Sequence, residues 1–433
     1  MGKLLITGVT AVTMNDAADI VKSADILIEN GRIAGIGVSG SHTAAAGDIE
    51  MIDGRGKVAL PGLINAHTHA AMTLLRGYAD DLPLTEWLEK KIWPREAFIR
   101  EGDIYDGTML AAAEMIKGGT TAFADMYFRA GEIAQAVLDS GLRASVCEVI
   151  IGVSPTAAED LAGATEFVTA WSDRDALVTA MFGPHSLYTC GTEILNKIAV
   201  EAARLNTGVH IHLLETKTER EDILKMNGVE PFDVLKETGL LERPLLAAHS
   251  VYLTEKEADI AAANNYSAVH TPGSNLKLAS GIAPIWDYLR KKVNAALGTD
   301  GAASNNNLDM FEEMRLAALV HKVNMFDATV VSAYEALSMA TRGGARALGL
   351  ANEIGQLTPG YKADIILVDM DRPHLTPEHN VVANLVYSAG AADVTETIVD
   401  GKLLMRERTL LAMDEKAVMA KARATAADLV NRT

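Results

Sequence analysis

The chain has 433 residues, of which 49% are hydrophobic and 22% charged; this exceeds the length at which a single hydrophobic core stops growing, and it excludes a disordered or fibrous chain. A formal net charge of −18 argues against a nucleic-acid partner, since that binding depends on clustered Lys and Arg that release counterions. Apolar runs stay short of bilayer-spanning length and residues 1–14 lack a small-residue cleavage site, so the expectation is a cytoplasmic enzyme with no membrane partner.

Taken in chain order, residues 4–14 and 25–36 read as strands, the latter split by Asn30-Gly31, a strong hairpin signal. Apolar runs of strand length then alternate with amphipathic stretches of helical length. The strand candidates are 63–69, 120–127, 143–150, 177–183, 208–215, 245–250, 266–270 and 293–300; helical runs include 103–117, 192–205, 254–264 and 308–322. Strand character returns at 363–368 and 395–404, the latter broken by Asp400-Gly401. The pattern predicts an α/β protein: a (β/α)8 TIM-type barrel at 59–361 and a small composite β-sandwich domain from 1–58 and 362–433.

In such a barrel the chemistry sits at the C-terminal strand ends. His67, His69, His185, His212, Glu215, His249, His270 and Asp300 all fall at or just past those ends, each after apolar residues. Cys147 and Cys190, the only cysteines, are far apart. They read as reduced, half-buried thiols, and their spacing excludes a thiolate zinc site and the zinc deaminases built on Cys-x-x-Cys.

Residues two apart on a strand share a face, so His67 and His69 can reach one metal ion. Either His210 or His212 can supply a third imidazole; His212 lies nearer the strand end, and His210 reads as a hydrogen-bonded core residue. Asp300, in Gly298-Thr299-Asp300-Gly301, offers an oxygen ligand, although an Asp there can also cap a helix. Such a donor set leaves a position for water, as in catalytic zinc sites, while Fe2+ or Mn2+ fits the same atoms.

Hydrolysis at an amidine carbon also needs a proton carrier beside that water, and Glu215, three residues after His212, is placed for it. His249 can stabilise the attacking oxygen or ligate a second metal. Residues 176–190 contain no Lys that could bridge two ions, which favours one.

These motifs resemble the amidohydrolase superfamily: Pro61-Gly62-Leu63-Ile64-Asn65-Ala66-His67-Thr68-His69, His212-x-x-Glu215, His249 and Gly298-Thr299-Asp300-Gly301. Within it the chain is most similar to 5′-methylthioadenosine/S-adenosylhomocysteine deaminases, through Met72-Thr73-Leu74-Leu75-Arg76-Gly77, Gly183-Pro184-His185-Ser186, Ser274-Asn275-Leu276-Lys277-Leu278 and Gly301-Ala302-Ala303-Ser304-Asn305-Asn306. The resemblance covers nearly the whole chain. It implies one divalent ion, preferably zinc, on His67, His69, His212 and Asp300, and catalysis by Glu215 and His249 with Asp300. It implies nucleoside contacts from Glu96, matching a ribose-binding carboxylate, and from Trp87, His185 and Glu215. From the residues alone Glu96 passes as an exposed helix-start residue and Trp87 as core.

Two departures bear on specificity. Relatives that accept an amino-acid tail place arginine after the third strand, whereas Glu148 stands there and no Lys or Arg occurs between Arg143 and Arg174. A neutral 5′ group, as in methylthioadenosine, adenosine or 5′-deoxyadenosine, is therefore expected, with S-adenosylhomocysteine open if a basic residue from elsewhere in the chain or from another subunit supplies the contact. Ala268-Val269-His270-Thr271-Pro272 also departs from the family pattern, which weakens any role for His270.

The alternatives are a guanine, cytosine or triazine deaminase or a chlorohydrolase on the same scaffold, a dinuclear dihydroorotase-like hydrolase, and a catalytically dead barrel serving as a scaffold. Glu215 and Glu96 favour a nucleoside deaminase over the first, the absent lysine opposes the second, and the complete ligand set opposes the third. The partner expected is a small-molecule nucleoside, with a homo-oligomer open.

Overall fold

Asn30 and Gly31 both take left-handed backbone conformations, φ 52° and 78°, as a two-residue hairpin turn requires. They join the antiparallel strands Ile20–Glu29 and Arg32–Val38. Asp400 and Gly401 do the same, φ 50° and 72°, between Val394–Val399 and Lys402–Arg406. The two turns lie against each other: a Cβ on Gly31 would sit 2.9 Å from the Asp400 carbonyl oxygen, so only glycine permits the contact.

In this computed structural model, which describes residues 2–38, 40, 49–172 and 174–433, both chain ends share one sheet. Among the described residues it has nine strands, and the ends meet where Lys57–Pro61 pairs antiparallel with Ile365–Asp369. Strand Lys57–Pro61 carries the sheet three residues past the expected limit at 58; the expected segment 1–58 also takes in 1, 39 and 41–48, outside the described residues. Alternate residues serve two cores. Ile365 and Leu367 pack among Leu4, Ile6, Val9 and Ile26, while Ile366 and Val368 join the large core around the barrel.

The remaining strands form a parallel sheet in chain order: Leu63–Thr68, Thr120–Tyr127, Arg143–Ile150, Val178–Pro184, Val209–Leu213, Leu245–His249, Tyr266–His270 and Asn294–Leu297. Helices such as Asp103–Lys117 and Thr192–Arg204 cover its outside. Helix Glu255–Ala262 begins with a reciprocal cap between Thr254 and Glu257. The interior is filled by Ile64, Ala66, Ala122, Ala124, Met181 and Leu246, a packed floor beneath the strand ends rather than a pore.

The eighth and first strands close the barrel at the mouth. Asp300 donates its N–H to the His67 carbonyl at 3.0 Å, and Asn65 and Thr299 exchange hydrogen bonds of 2.7 and 2.9 Å. A Cβ on Gly298 would stand 2.8 Å from the His67 nitrogen, so this approach also needs glycine. The last strand ends at Leu297, shorter than expected, because the chain must turn out of the sheet to bring Asp300 inward. Among the described residues no helix is long and apolar enough to cross a membrane.

Candidate metal centre and active site

Three imidazoles meet at the mouth of the barrel, and their hydrogen bonds fix which nitrogen each one offers. His69 Nδ1 lies 2.6 Å from the Met126 carbonyl and His212 Nδ1 lies 2.8 Å from the His185 carbonyl. A carbonyl only accepts, so each Nδ1 carries the proton and each Nε2 presents a lone pair. His67 Nδ1 is 2.8 Å from His210 Nε2, which leaves His67 Nε2 buried with no hydrogen-bond partner.

The three Nε2 atoms converge. Those of His69 and His212 are 3.3 Å apart, and Asp300 Oδ1 lies 3.4 Å from His67 Nε2 and 3.3 Å from His69 Nε2. Lone pairs and a carboxylate oxygen facing one another repel unless a cation lies between them. This donor set fits one divalent ion with nitrogen and oxygen ligands. Burial supports the same state, holding His67 down at about 4 and His212 well below its ordinary value, so both are neutral.

Asp300 is held from behind. The Ser274 and Ser304 hydroxyls donate to its Oδ2 at 2.7 and 2.8 Å, and Gly301 N–H to its Oδ1 at 2.8 Å. It caps no helix, since the next one starts at Met310 under Asp309. Its φ of 63°, with 69° at His249 and 52° at Leu214, marks three non-glycine residues in a conformation that costs about 1–2 kcal/mol each. Such strain clusters where a side chain must be aimed.

His249 Nδ1 donates to Asn275 Oδ1 at 3.0 Å, and its Nε2 lies 3.7 Å from Glu215 Oε2. Burial opposes charge on His249, but the Glu215 and Asp300 carboxylates outweigh it and raise the imidazole above its usual value. His249 also lies with His67 and Asp300 in a second group whose ligand atoms stand close together. It can act as a donor to developing negative charge.

A cavity of roughly 790 Å³, counting space open to solvent, covers the cluster. His69, His185, His212, Glu215, His249 and Asp300 form its floor, while Trp87, Leu88, Trp93, Phe128, Val149 and Leu278 are among its walls. Trp87 is 5% exposed, with its indole N–H on the Ala79 carbonyl at 3.0 Å. Glu96 closes the short helix Trp93–Glu96 instead of starting one. Its carboxylate turns inward to the cavity and accepts from the Tyr127 hydroxyl at 2.6 Å. Burial raises its pKa.

His185 stands in the same cavity beside Ser186 and Thr189, neutral at about 4 through burial. His270 does not join them: both its nitrogens are buried without partners, and its ring faces His321. Cys147 and Cys190 are fully buried rather than half-buried, with free thiols.

Sequence reasoning missed several supporting groups. Asp125 accepts from Thr68 and from Ala70 N–H at 2.7 and 2.6 Å, bracketing His69. Asp125 and Tyr127 sit at the end of the second strand, so the bias that singled out the histidines points to them as well. Glu219 and Ser280, which hold Glu215, lie beyond strand ends and carry no such mark.

A (β/α)8 barrel with imidazoles and a carboxylate converging at its C-terminal mouth defines a metal-dependent hydrolase. The amidohydrolase family pattern matches residues 58–404, and the chain belongs to that family. It is 49% identical over 433 residues to the 5-methylthioadenosine/S-adenosylhomocysteine deaminase of Pelotomaculum thermopropionicum, covering 100% of both chains. It is 47% identical over 435 residues to the 5′-deoxyadenosine deaminase of Methanosarcina acetivorans, covering 100% of this chain and 99% of the other. Among solved structures it superposes on an adenosine deaminase from Xanthomonas campestris with bound zinc, with a TM-score of 0.95, 38% identity and coverage of 100% and 99%.

Proposed function

We propose that this chain hydrolyses the exocyclic amine of an adenosine-type nucleoside to ammonia and the inosine analogue, with His67, His69, His212 and Asp300 holding one divalent ion. The observation that carries the reading is the convergence of three Nε2 lone pairs and Asp300 Oδ1 beside Glu215, at the floor of a cavity with mostly apolar walls. Zinc is the preferred ion, in keeping with the zinc-bound relative; Fe2+ and Mn2+ suit the same donors.

Bound there, a divalent ion makes water a competent nucleophile near neutral pH. Glu215 takes a proton from the attacking water and gives it to the ring nitrogen beside the amine-bearing carbon, which keeps negative charge off the ring as the C–O bond forms. His249 donates toward the attacking oxygen and steadies its charge. Glu215 then carries the remaining proton of the added hydroxyl to the amine, the C–N bond breaks and ammonia leaves. Glu96 receives the ribose hydroxyls, while Trp87 and His185 flank the nucleoside.

The cavity walls favour a neutral 5′ group. Among the described residues no Lys or Arg lines it, so a carboxylate tail would be desolvated without a cation. Glu148 is spent elsewhere, its two oxygens accepting from Arg129 and Ala130 N–H at 2.8 and 2.7 Å at the start of helix Ala130–Ser140. The reading is tested by ammonia release from 5′-methylthioadenosine, 5′-deoxyadenosine, adenosine, S-adenosylhomocysteine, guanine and cytosine. The first three are expected to turn over faster than S-adenosylhomocysteine; turnover of guanine or cytosine alone would reject the nucleoside assignment.

A further inference from the structure

We propose that Ser280 is a positioning residue that fixes which oxygen of Glu215 carries the catalytic proton, with Glu219 holding the same side chain from its backbone. The inference rests on the reading of Glu215 as the proton carrier. Ser280 Oγ donates to Glu215 Oε1 at 2.8 Å. The serine is 5% exposed and tethered on both sides of its peptide: its N–H donates to the Asn275 carbonyl at 2.9 Å, and its own carbonyl accepts from the Tyr252 hydroxyl at 2.6 Å.

A hydroxyl held in that way cannot swing off with the carboxylate. Its hydrogen occupies Oε1 and stabilises negative charge there, so the proton that Glu215 takes up and returns resides on Oε2. Oε2 is the oxygen on the His249 side, 3.7 Å from Nε2. Without the serine Oε1 loses its donor and the carboxyl is freer to rotate. The proton would then point at the ring nitrogen for only part of the time.

The backbone leading to Glu215 is fixed by a second carboxylate. Leu214 takes a left-handed φ of 52°, which turns the chain out of strand Val209–Leu213. The next element is held to this turn by Glu219, 3% exposed, whose two oxygens accept from the N–H groups of Leu214 and Glu215 at 2.7 and 2.6 Å. Glu219 therefore sets where the Glu215 Cα stands, and Ser280 sets how its carboxyl is turned.

The test compares Ser280→Ala and Ser280→Thr in the full-length, zinc-loaded protein with 5′-methylthioadenosine, reading kcat, KM, zinc content and melting temperature. Misplacing a reacting group by about an ångström costs on the order of 100-fold, so Ser280→Ala should lower kcat by roughly 10- to 100-fold with KM, zinc and melting unchanged. Ser280→Thr, which keeps the hydroxyl, should recover most of kcat. An alanine variant at the wild-type kcat, a loss that falls on KM or zinc content instead, or a threonine variant as slow as the alanine one would overturn the inference. Glu215→Gln separates the two levels: if it turns over normally the proton-carrier reading fails, whereas if it is inactive while Ser280→Ala is unimpaired, only the role of Ser280 fails.

Discussion

His67 Nδ1 and His210 Nε2 meet at 2.8 Å in the floor of the barrel, and this contact decides which face of His67 looks at the metal centre. Burial keeps both rings neutral. With the proton on Nδ1, His67 donates to His210 and points an Nε2 lone pair at the cluster. Residues that orient a ligand in this way typically change metal affinity by roughly 10- to 100-fold when removed. His210→Ala should weaken zinc binding by that factor, read by competition with a chromophoric chelator, and an unchanged affinity would show that His67 needs no orienting partner.

Gly298, just past the end of the neighbouring eighth strand, is the counterpart on the other side of His67. A Cβ there would approach the His67 nitrogen, Cβ and carbonyl oxygen at 2.8, 2.9 and 3.0 Å, and these atoms are backbone or close to it, with little room to yield. Gly298→Ala should push the first and eighth strands apart and destabilise the fold by about 1–3 kcal/mol, as overpacking does. It should also lose zinc, because His67 and Asp300 move relative to each other. Zinc content and the urea midpoint report the two effects, and wild-type values for both would contradict the closure described above.

A third expectation concerns pH. Glu313 is fully buried, accepting from Gly273 N–H at 3.0 Å and Asn305 Nδ2 at 2.8 Å, and burial raises its carboxyl from 4.5 to about 8. Between those values the folded chain keeps a proton that the unfolded chain has lost, so stability falls as pH rises, by up to about 1.4 kcal/mol per unit. Stability from this group is complete below 4.5 and lost on passing 8. Urea midpoints of the wild type relative to Glu313→Gln should therefore decline from pH ~5 to ~8; parallel profiles would assign the pH dependence to other groups.

Much of this fold could be read from the sequence because its signals are local. Helix Asp103–Lys117 and strands Thr120–Tyr127, Arg143–Ile150 and Tyr266–His270 coincide with their hydrophobic periods. Asn30-Gly31 and Asp400-Gly401 mark their turns through residues that tolerate positive φ. The clustering of His67, His69, His212 and Asp300 followed from one rule, that polar residues at C-terminal strand ends share a mouth.

The misses follow from tertiary contacts that leave no periodic trace. Glu96 looked like an exposed helix residue because its helix has a single turn, and only the fold brings it beneath Tyr127. Asp300 lies three residues past Leu297, since a residue that must turn into the mouth cannot remain in the ladder. Ser280 is 65 residues from the carboxylate it binds, and nothing in its neighbours indicates that partner.

The central claim is tested most directly by incubating the zinc-loaded protein with 5′-methylthioadenosine and measuring ammonia and the purine product together. The account predicts one ammonia for each inosine analogue formed, with the reaction abolished by a chelator and restored by zinc. Cleavage of the glycosidic bond without ammonia, or undiminished ammonia release from protein stripped of metal, would contradict it.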